Sequence, residues 1–136
     1  MDLRKGALSP VNVQPFLHDG TLYGCDQNGA MMGIDFKTGE RLWETAWPLA
    51  EDRPIQSGTS FIVRQADRYW LFTEQGDLII AKLTPDGHEE LDRQKVIDAT
   101  NVAFGRDVVW AAPAFANRHI YLRNDKEIIC IDLSAR

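Results

Sequence analysis

Three copies of one pattern occur along the sequence, and their spacing constrains the fold more than any other feature. Each copy contains an apolar residue followed by an aromatic one: Leu22-Tyr23, Leu71-Phe72 and Ile120-Tyr121. Positions 22, 71 and 120 are separated by equal intervals of 49 residues. A fixed period of this length predicts that one supersecondary unit is stacked several times.

Each pair is followed by a turn dipeptide and a second apolar run. The dipeptides are Asn28-Gly29, Gln75-Gly76 and Asn124-Asp125. Asn-Gly favours a hairpin, because both central residues of a type I′ turn need positive φ. The pattern predicts eleven strands, near 12–17, 21–26, 30–36 and 41–46, then 58–65, 69–74, 77–83 and 88–95, then 108–116, 119–124 and 127–133.

Two of the predicted strands are apolar at consecutive positions, Leu78 to Ala81 and Ile128 to Ile131. A strand of this kind is buried on both faces of its sheet. Four-stranded antiparallel units with neighbours on both faces are the blades of a β-propeller. We therefore expect an all-β partial propeller over 1–136, with blade units at about 11–47, 57–96 and 107–134 and the last blade lacking its outer strand. A two-sheet β-sandwich is the alternative.

The first unit contains a motif that can be interpreted in physical terms. Asp35 can accept hydrogen bonds from the following turn, Thr38 lies within that turn, and Gly39 supplies the positive φ that ends it. Trp43 can extend from the outer strand and cover the next blade. With Gly33, these residues resemble the tryptophan-docking motif of quinoprotein-like propellers, the PQQ-repeat family, in which Ala stands at the position of Gly33.

The later units keep the motif only in part. In the second unit Ala81, Gly87 and Leu91 stand at the positions of Ala, Gly and Trp, whereas Leu83 and Asp86 replace Asp and Thr. The chain also resembles the C-terminal segment of larger bacterial PQQ-like repeat proteins. This resemblance implies a periplasmic or exported protein, although residues 1–6 lack the apolar core of a signal peptide.

Charge and cysteine content restrict the classes of partner and site. The net charge of −5 argues against nucleic acid, which needs clustered Lys and Arg. No apolar run approaches the roughly 20 residues that span a membrane as a helix. Cys25 and Cys130 lack metal-site spacing and are expected to be buried free thiols. The three His residues, His18, His88 and His119, are expected at the surface.

The most suggestive polar cluster is Arg106 and Asp107 with Trp110, which lies before a strand of the third unit. A charged pair beside an aromatic residue is typical of a ligand-facing channel mouth. The structural alternative, which we favour, is an ion pair between Arg106 and Asp107 with Trp110 packed between blades.

The sequence predicts a non-catalytic binding or scaffold module, in which no residue is assigned a catalytic, cofactor or metal role. The alternative is a fragment of a PQQ-dependent quinoprotein oxidoreductase, which would use pyrroloquinoline quinone and calcium. The adjacent cysteines of alcohol-oxidising quinoproteins are absent, because Cys25 and Cys130 lie far apart. We therefore expect no cofactor.

Three blades cannot close a ring, so two blade faces are expected to be open. We expect these faces to be lined by Ile79, Ala81, Ile129 and Ile131. Other blades of a parent protein or a second copy of the chain would cover them. The turns also give an expected order of stability effects, in which Gly39→Val destabilises the fold more than Gly76→Ala, because a β-branched residue is an outlier at positive φ.

Overall fold

A computed structural model describes residues 8–134, and every regular element in this range is a β-strand. Thirteen strands form three larger antiparallel sheets and one two-stranded hairpin. The stretch 1–6, examined above for a signal peptide, lies outside the described residues. The all-β fold class predicted from the 49-residue repeat is confirmed.

The first sheet, called blade 1 below, has four strands in sequential order. They are β1 (Phe16–His18), β2 (Thr21–Cys25), β3 (Met31–Asp35) and β4 (Arg41–Thr45). The first strand was predicted over 12–17 and is shorter, because Pro15 has no N–H to donate to a sheet.

Blade 2 is the longest sheet and also has four strands in sequential order. They are β5 (Ser60–Gln65), β6 (Arg68–Thr73), β7 (Asp77–Thr84) and β8 (Gly87–Lys95). Their bounds lie within two residues of those predicted from the sequence. The bulge between Ile80 and Ala81 shifts the pairing of β7 with β8.

Blade 3 has three strands, and a separate hairpin precedes it. The hairpin pairs β9 (Asn101–Ala103) with β10 (Arg106–Val108), and the sheet pairs β11 (Ala114–Ala116), β12 (His119–Arg123) and β13 (Ile128–Asp132). The strand predicted over 108–116 is therefore wrong. Val108 belongs to the hairpin, and Pro113 interrupts any strand before β11.

Apolar side chains hold the blades together face to face. Between blades 1 and 2 the buried members are Tyr23, Cys25, Met31, Tyr69, Leu71, Ile79, Ala81 and Leu83. Between blades 2 and 3 they are Phe72, Leu78, Ile97, Val109, Ile120 and Leu122. Each face of blade 2 is thus covered by a neighbouring blade, which accounts for its consecutive apolar residues.

The open face of blade 3 differs from the one expected. Ile129 and Ile131 pack toward blade 2, and Ile79 and Ala81 are buried between blades 1 and 2. Because side chains alternate along a strand, the neighbours of Ile129 and Ile131 point outward. The open face therefore presents Tyr121 and Ile128, which are 40% and 75% exposed, together with Cys130.

Two smaller expectations about polar side chains are corrected. Cys25 is buried, and burial raises the pKa of its thiol to about 11, but Cys130 is exposed. Of the three His residues expected at the surface, His88 is exposed, with its ring stacked on Trp47 at a centroid distance of 4.3 Å, whereas His18 and His119 are half-buried. Partial desolvation of the His88 ring lowers its pKa below the usual value.

The turn between β3 and β4 is built around Asp35. One carboxylate oxygen, Oδ1, accepts hydrogen bonds from the backbone N–H and the hydroxyl of Thr38, at 2.7 and 2.9 Å. These bonds stabilise the ionised form and lower the pKa of Asp35. Gly39 has a φ of 73°, and its N–H donates to the carbonyl of Asp35.

Trp43 crosses from blade 1 to blade 2. Its indole Nε1 donates to the carbonyl oxygen of Thr84 at 2.8 Å. A Cβ at Gly33 would lie 2.4 Å from that same nitrogen, so the indole lies directly against the backbone of β3. Glycine in place of the alanine of the resembling motif thus provides the room that this side chain uses.

Candidate functional site

Glu74 follows β6 and is the most deeply buried charged side chain of the described residues, at 1% exposure. Its Oε1 accepts a hydrogen bond from Nε of Arg106 at 2.7 Å. Its Oε2 accepts hydrogen bonds from Nε1 of Trp110 at 2.7 Å and from the backbone N–H of Thr59 at 3.1 Å. A buried carboxylate is stable only when it is paired and hydrogen-bonded in this way.

The backbone of Glu74 adds two further connections. Its N–H donates to the carbonyl of Thr59, and its own carbonyl accepts the N–H of Val109 at 2.7 Å. Glu74 therefore links blade 2 to the segment that contains the β9–β10 hairpin. We call residues 101–108 the anchored hairpin.

The tip of the anchored hairpin carries exposed apolar side chains. Val102 and Phe104 are 67% and 70% exposed. Phe104 and Gly105 have φ angles of 51° and 74°, so both central residues of the turn are left-handed. A bulky side chain at positive φ is uncommon, and such strain persists only where the surrounding structure enforces it.

Arg106 and Trp110 both contact Phe104 at the tip of the anchored hairpin. The guanidinium carbon of Arg106 lies 5.8 Å from the centroid of the Phe104 ring. The ring of Trp110 lies 6.1 Å from the Phe104 ring. Both of these side chains are hydrogen-bonded to Glu74, so the exposed Phe104 ring packs on side chains whose positions are fixed.

The structure brings together two of the three residues singled out in the sequence, since Arg106 and Trp110 both donate to Glu74, and leaves Asp107 apart from them. Arg106 pairs with Glu74 and not with Asp107, so the ion pair expected between Arg106 and Asp107 is wrong. Asp107 pairs with Val102 across the hairpin and lines an open depression of about 640 Å³ with Lys95 and Lys126.

Glu74, Val102 and Phe104 were not identified from the sequence. A signal for the hairpin was available: apolar Val102 and Val108 flank Phe104-Gly105, and a Gly-containing dipeptide between such residues favours a tight turn. No comparable signal marks Glu74, because a charged residue next to Gln75-Gly76 is typical of an exposed turn.

The side chains of this site are arranged to make contacts with another molecule. Both oxygens of Glu74 already accept hydrogen bonds, so the carboxylate acts as an anchor. Residues 8–134 contain no group of three or more His, Cys, Asp and Glu side chains placed to hold a metal ion. Nor does that part of the chain contain a helix long and apolar enough to cross a membrane.

Solved structures with a similar arrangement of sheets include two PQQ-repeat β-propellers. BamB from Moraxella catarrhalis has a TM-score of 0.57 at 12% identity, over 88% of this chain and 32% of that protein. Quinohemoprotein alcohol dehydrogenase from Comamonas testosteroni has a TM-score of 0.54 at 15% identity, over 86% and 17%. The chain therefore has the fold of quinoprotein-like propeller blades.

One curated protein is also similar to the chain in sequence. The chain is 25% identical over 73 residues to outer membrane protein assembly factor BamB of Yersinia pestis. The match covers 54% of this chain and 19% of that protein, so the chain spans about a fifth of the curated relative. No protein-family model matches the chain.

Proposed function

We propose that the chain is a non-catalytic interaction module and that its anchored hairpin binds another protein. The observation that carries this proposal is Phe104, an aromatic side chain that is 70% exposed at positive φ and held on a buried base. Aromatic anchors on rigid supports contribute much of the energy of protein interfaces. Val102 extends the same apolar surface.

The relatives support a scaffold role in a general way. The curated relative is named an outer membrane protein assembly factor, and that name supports a role in contacts with other proteins. A propeller fold alone serves many functions, so the proposal depends on the anchored hairpin and not on the fold.

The open face of blade 3 suggests a second class of contact. Tyr121 and Ile128 point away from blade 2, and β13 is the last strand of its sheet in the described chain. Exposed apolar residues beside an unpaired strand edge favour further pairing. We propose that this face is covered either by other blades of a parent protein or by a second copy of this chain.

A crosslinking experiment tests the role of the anchored hairpin. A photoreactive amino acid at position 104 is expected to capture one defined protein in the native cell, because the side chain points into the contact. The same substitution at Phe36 is the control, since Phe36 is 61% exposed but lies in the β3–β4 turn. Mass spectrometry identifies the captured protein.

Binding of the captured protein is then measured with Phe104→Ser and Phe36→Ser. Loss of a central aromatic anchor is expected to weaken binding by at least about tenfold, because hot-spot residues contribute about 2 kcal/mol or more. Phe36→Ser is expected to bind as the wild type does. Equal affinities of the two variants would exclude the anchored hairpin as the contact.

We also propose that the module works without pyrroloquinoline quinone or calcium. Adding both is expected to leave the midpoint of thermal unfolding unchanged, because a ligand that binds only the native state must raise it. A shift that saturates with cofactor concentration would support the quinoprotein oxidoreductase alternative.

A further inference from the structure

A pocket of about 280 Å³ lies between blades 1 and 2, near the β1–β2, β5–β6 and β7–β8 turns. We call it the tyrosine pocket, because Tyr23 of blade 1 and Tyr69 of blade 2 both line it. From Tyr69, β6 runs to Glu74 at the other end of blade 2. At 3.3 Å per residue, about 15–20 Å of strand therefore separates the tyrosine pocket from the site around Glu74.

The two tyrosine rings that border the pocket are fixed by packing. Tyr23 and Tyr69 are each 2% exposed, and their rings meet edge to face with centroids 5.8 Å apart. Phe16 packs against Tyr69 in the same way, at 5.7 Å. Edge-to-face contacts of this kind favour one arrangement of the rings. The hydroxyl groups therefore have defined positions.

The hydroxyl of Tyr69 is buried without a hydrogen-bond partner. Arg64 stands opposite Tyr69 in the pairing of β5 with β6, but the two groups do not reach hydrogen-bond geometry. Burial, the largest effect, raises the pKa of Tyr69, and the nearby Arg64 opposes it. The hydroxyl is therefore protonated at neutral pH. Because a buried hydroxyl is normally hydrogen-bonded, this one is available to donate to a ligand.

Charges of both signs line the tyrosine pocket. Arg64 is positive, whereas Asp19 of blade 1 and Asp67 of blade 2 are negative. The two carboxylate side chains are 88% and 79% exposed, so they lie at the opening. Asp19 has one oxygen 3.1 Å from Nε2 of His18, and Asp67 has one oxygen 3.9 Å from Nε of Arg68. Each carboxylate keeps a second oxygen that can accept from a ligand.

An apolar wall and a small volume restrict the size of the occupant. Leu83, which is buried, and Pro85 line the pocket on the side of the β7–β8 turn. The bond from Trp43 to the carbonyl of Thr84 holds this turn against blade 1. If each heavy atom takes the share of one water molecule, about 30 Å³, the pocket holds about nine heavy atoms.

We propose that the tyrosine pocket binds a free α-amino acid with an apolar side chain. The carboxylate of the amino acid accepts from the Tyr69 hydroxyl and from Arg64. Its ammonium group donates to Asp19 and Asp67, and its side chain packs against Leu83.

The mixed charge of the pocket selects this class of ligand. A simple carboxylic acid is repelled by the two aspartates, and a simple amine is repelled by the arginine. A free amino acid carries both charges on one carbon atom, whereas the two termini of a longer peptide lie apart. The inference does not depend on the anchored hairpin, and it adds a small-molecule site to the proposed interaction module.

L-leucine, which has nine heavy atoms, is the probe, titrated into the whole chain and followed by NMR. Saturable shifts are expected at the amides of residues 18–21 and 64–69. N-acetyl-leucine lacks the ammonium group and leucinamide lacks the carboxylate. Each is expected to bind at least about tenfold more weakly, because charge-assisted hydrogen bonds are the strong ones. The proposal is overturned if leucine causes no saturable shifts, or if either derivative binds as tightly as leucine.

Tyr69→Phe separates a role in binding from a role in the fold. The change removes only the unpaired hydroxyl, so the midpoint of unfolding is expected to stay the same or rise. Leucine binding is expected to weaken by about tenfold. Tyr121→Phe is the matched control, since Tyr121 is 40% exposed on blade 3, outside the pocket. A Tyr69→Phe variant that unfolds earlier than the wild type, or binds leucine equally well, would contradict the assignment of this hydroxyl to a ligand.

The charged groups are tested in the same titration. Arg64→Gln is expected to weaken leucine binding by about tenfold. Arg123→Gln is its control and is expected to have no effect, because Arg123 is exposed on blade 3. Phe104→Ser is also expected to bind leucine as the wild type does, so a failure of the hairpin proposal and a failure of this one are measured separately. Equal binding by Arg64→Gln and Arg123→Gln would exclude the proposed carboxylate contact.

Discussion

Replacing Gly76 with alanine is expected to lower the free energy of unfolding by about 3 kcal/mol or more. Gly76 has a φ of 89°, which disfavours any side chain. A Cβ at this position would lie 1.9 Å from the carbonyl oxygen of Ile97. That oxygen belongs to the backbone, and the neighbouring Val96 N–H is bonded to the carbonyl of Gly76 at 2.9 Å. The two segments must therefore separate.

Gly20→Ala is the matched control for Gly76→Ala. Gly20 has a φ of 76°, and a Cβ there would have no atom within 4 Å. Its cost is therefore the backbone term alone, about 1 kcal/mol. Chemical denaturation of both variants measures the difference, and equal midpoints would show that the linker after blade 2 does not press on the turn.

The same contact occurs one blade earlier. Gly29 has a φ of 87°, and a Cβ there would lie 1.8 Å from the carbonyl oxygen of Ile55. In both blades the linker that leaves the outer strand passes directly over the glycine of the β2–β3 or β6–β7 turn. Because of these contacts we expect Gly76→Ala to be the more damaging change, whereas the sequence predicts that Gly39→Val is. The pattern indicates positive φ, but it does not show which distant backbone covers the turn.

The strands of blade 2 could be predicted because each of them follows from a local pattern. Apolar runs and turn dipeptides placed β5 to β8 within two residues of their bounds. The segment between β8 and β11 could not be placed in this way. Its two short strands pair only with each other, and their position is set by contacts with Glu74.

The candidate site could not be predicted from the sequence either, because it also depends on contacts between distant segments. The sequence singled out Arg106 and Trp110, but their common partner is 32 and 36 positions away in the sequence. The donors to the buried Glu74 lie on two separate segments, one at Thr59 and one that contains Arg106 and Trp110. The 49-residue repeat does not predict which segments meet at Glu74. The turn that follows Glu74 is Gln75-Gly76 in the second unit but Asn124-Asp125 in the third, so the third unit offers no second copy of the site.

Glu74→Ala is expected to destabilise the fold by about 3–5 kcal/mol. The change removes the acceptor of the Arg106 guanidinium, the Trp110 indole and the Thr59 amide together. The guanidinium suffers most, because its Nη2 is already buried without a hydrogen-bond partner. Chemical denaturation measures the loss, and hydrogen exchange at the amides of β9 and β10 is expected to accelerate as the hairpin loses its anchor.

A double-mutant cycle separates the buried charge from the packing around it. Glu74→Met leaves Arg106 as an unpaired charge against the blade, whereas Glu74→Met combined with Arg106→Met removes both charges and keeps similar volumes. We therefore expect the double variant to be more stable than Glu74→Met alone, which no sum of independent losses can produce. A double variant that is less stable by the sum of both single losses would show that the two groups do not interact. The anchored hairpin would then be held in position by the contacts of Trp110 and Val109, and the position of Phe104 would not depend on the ion pair.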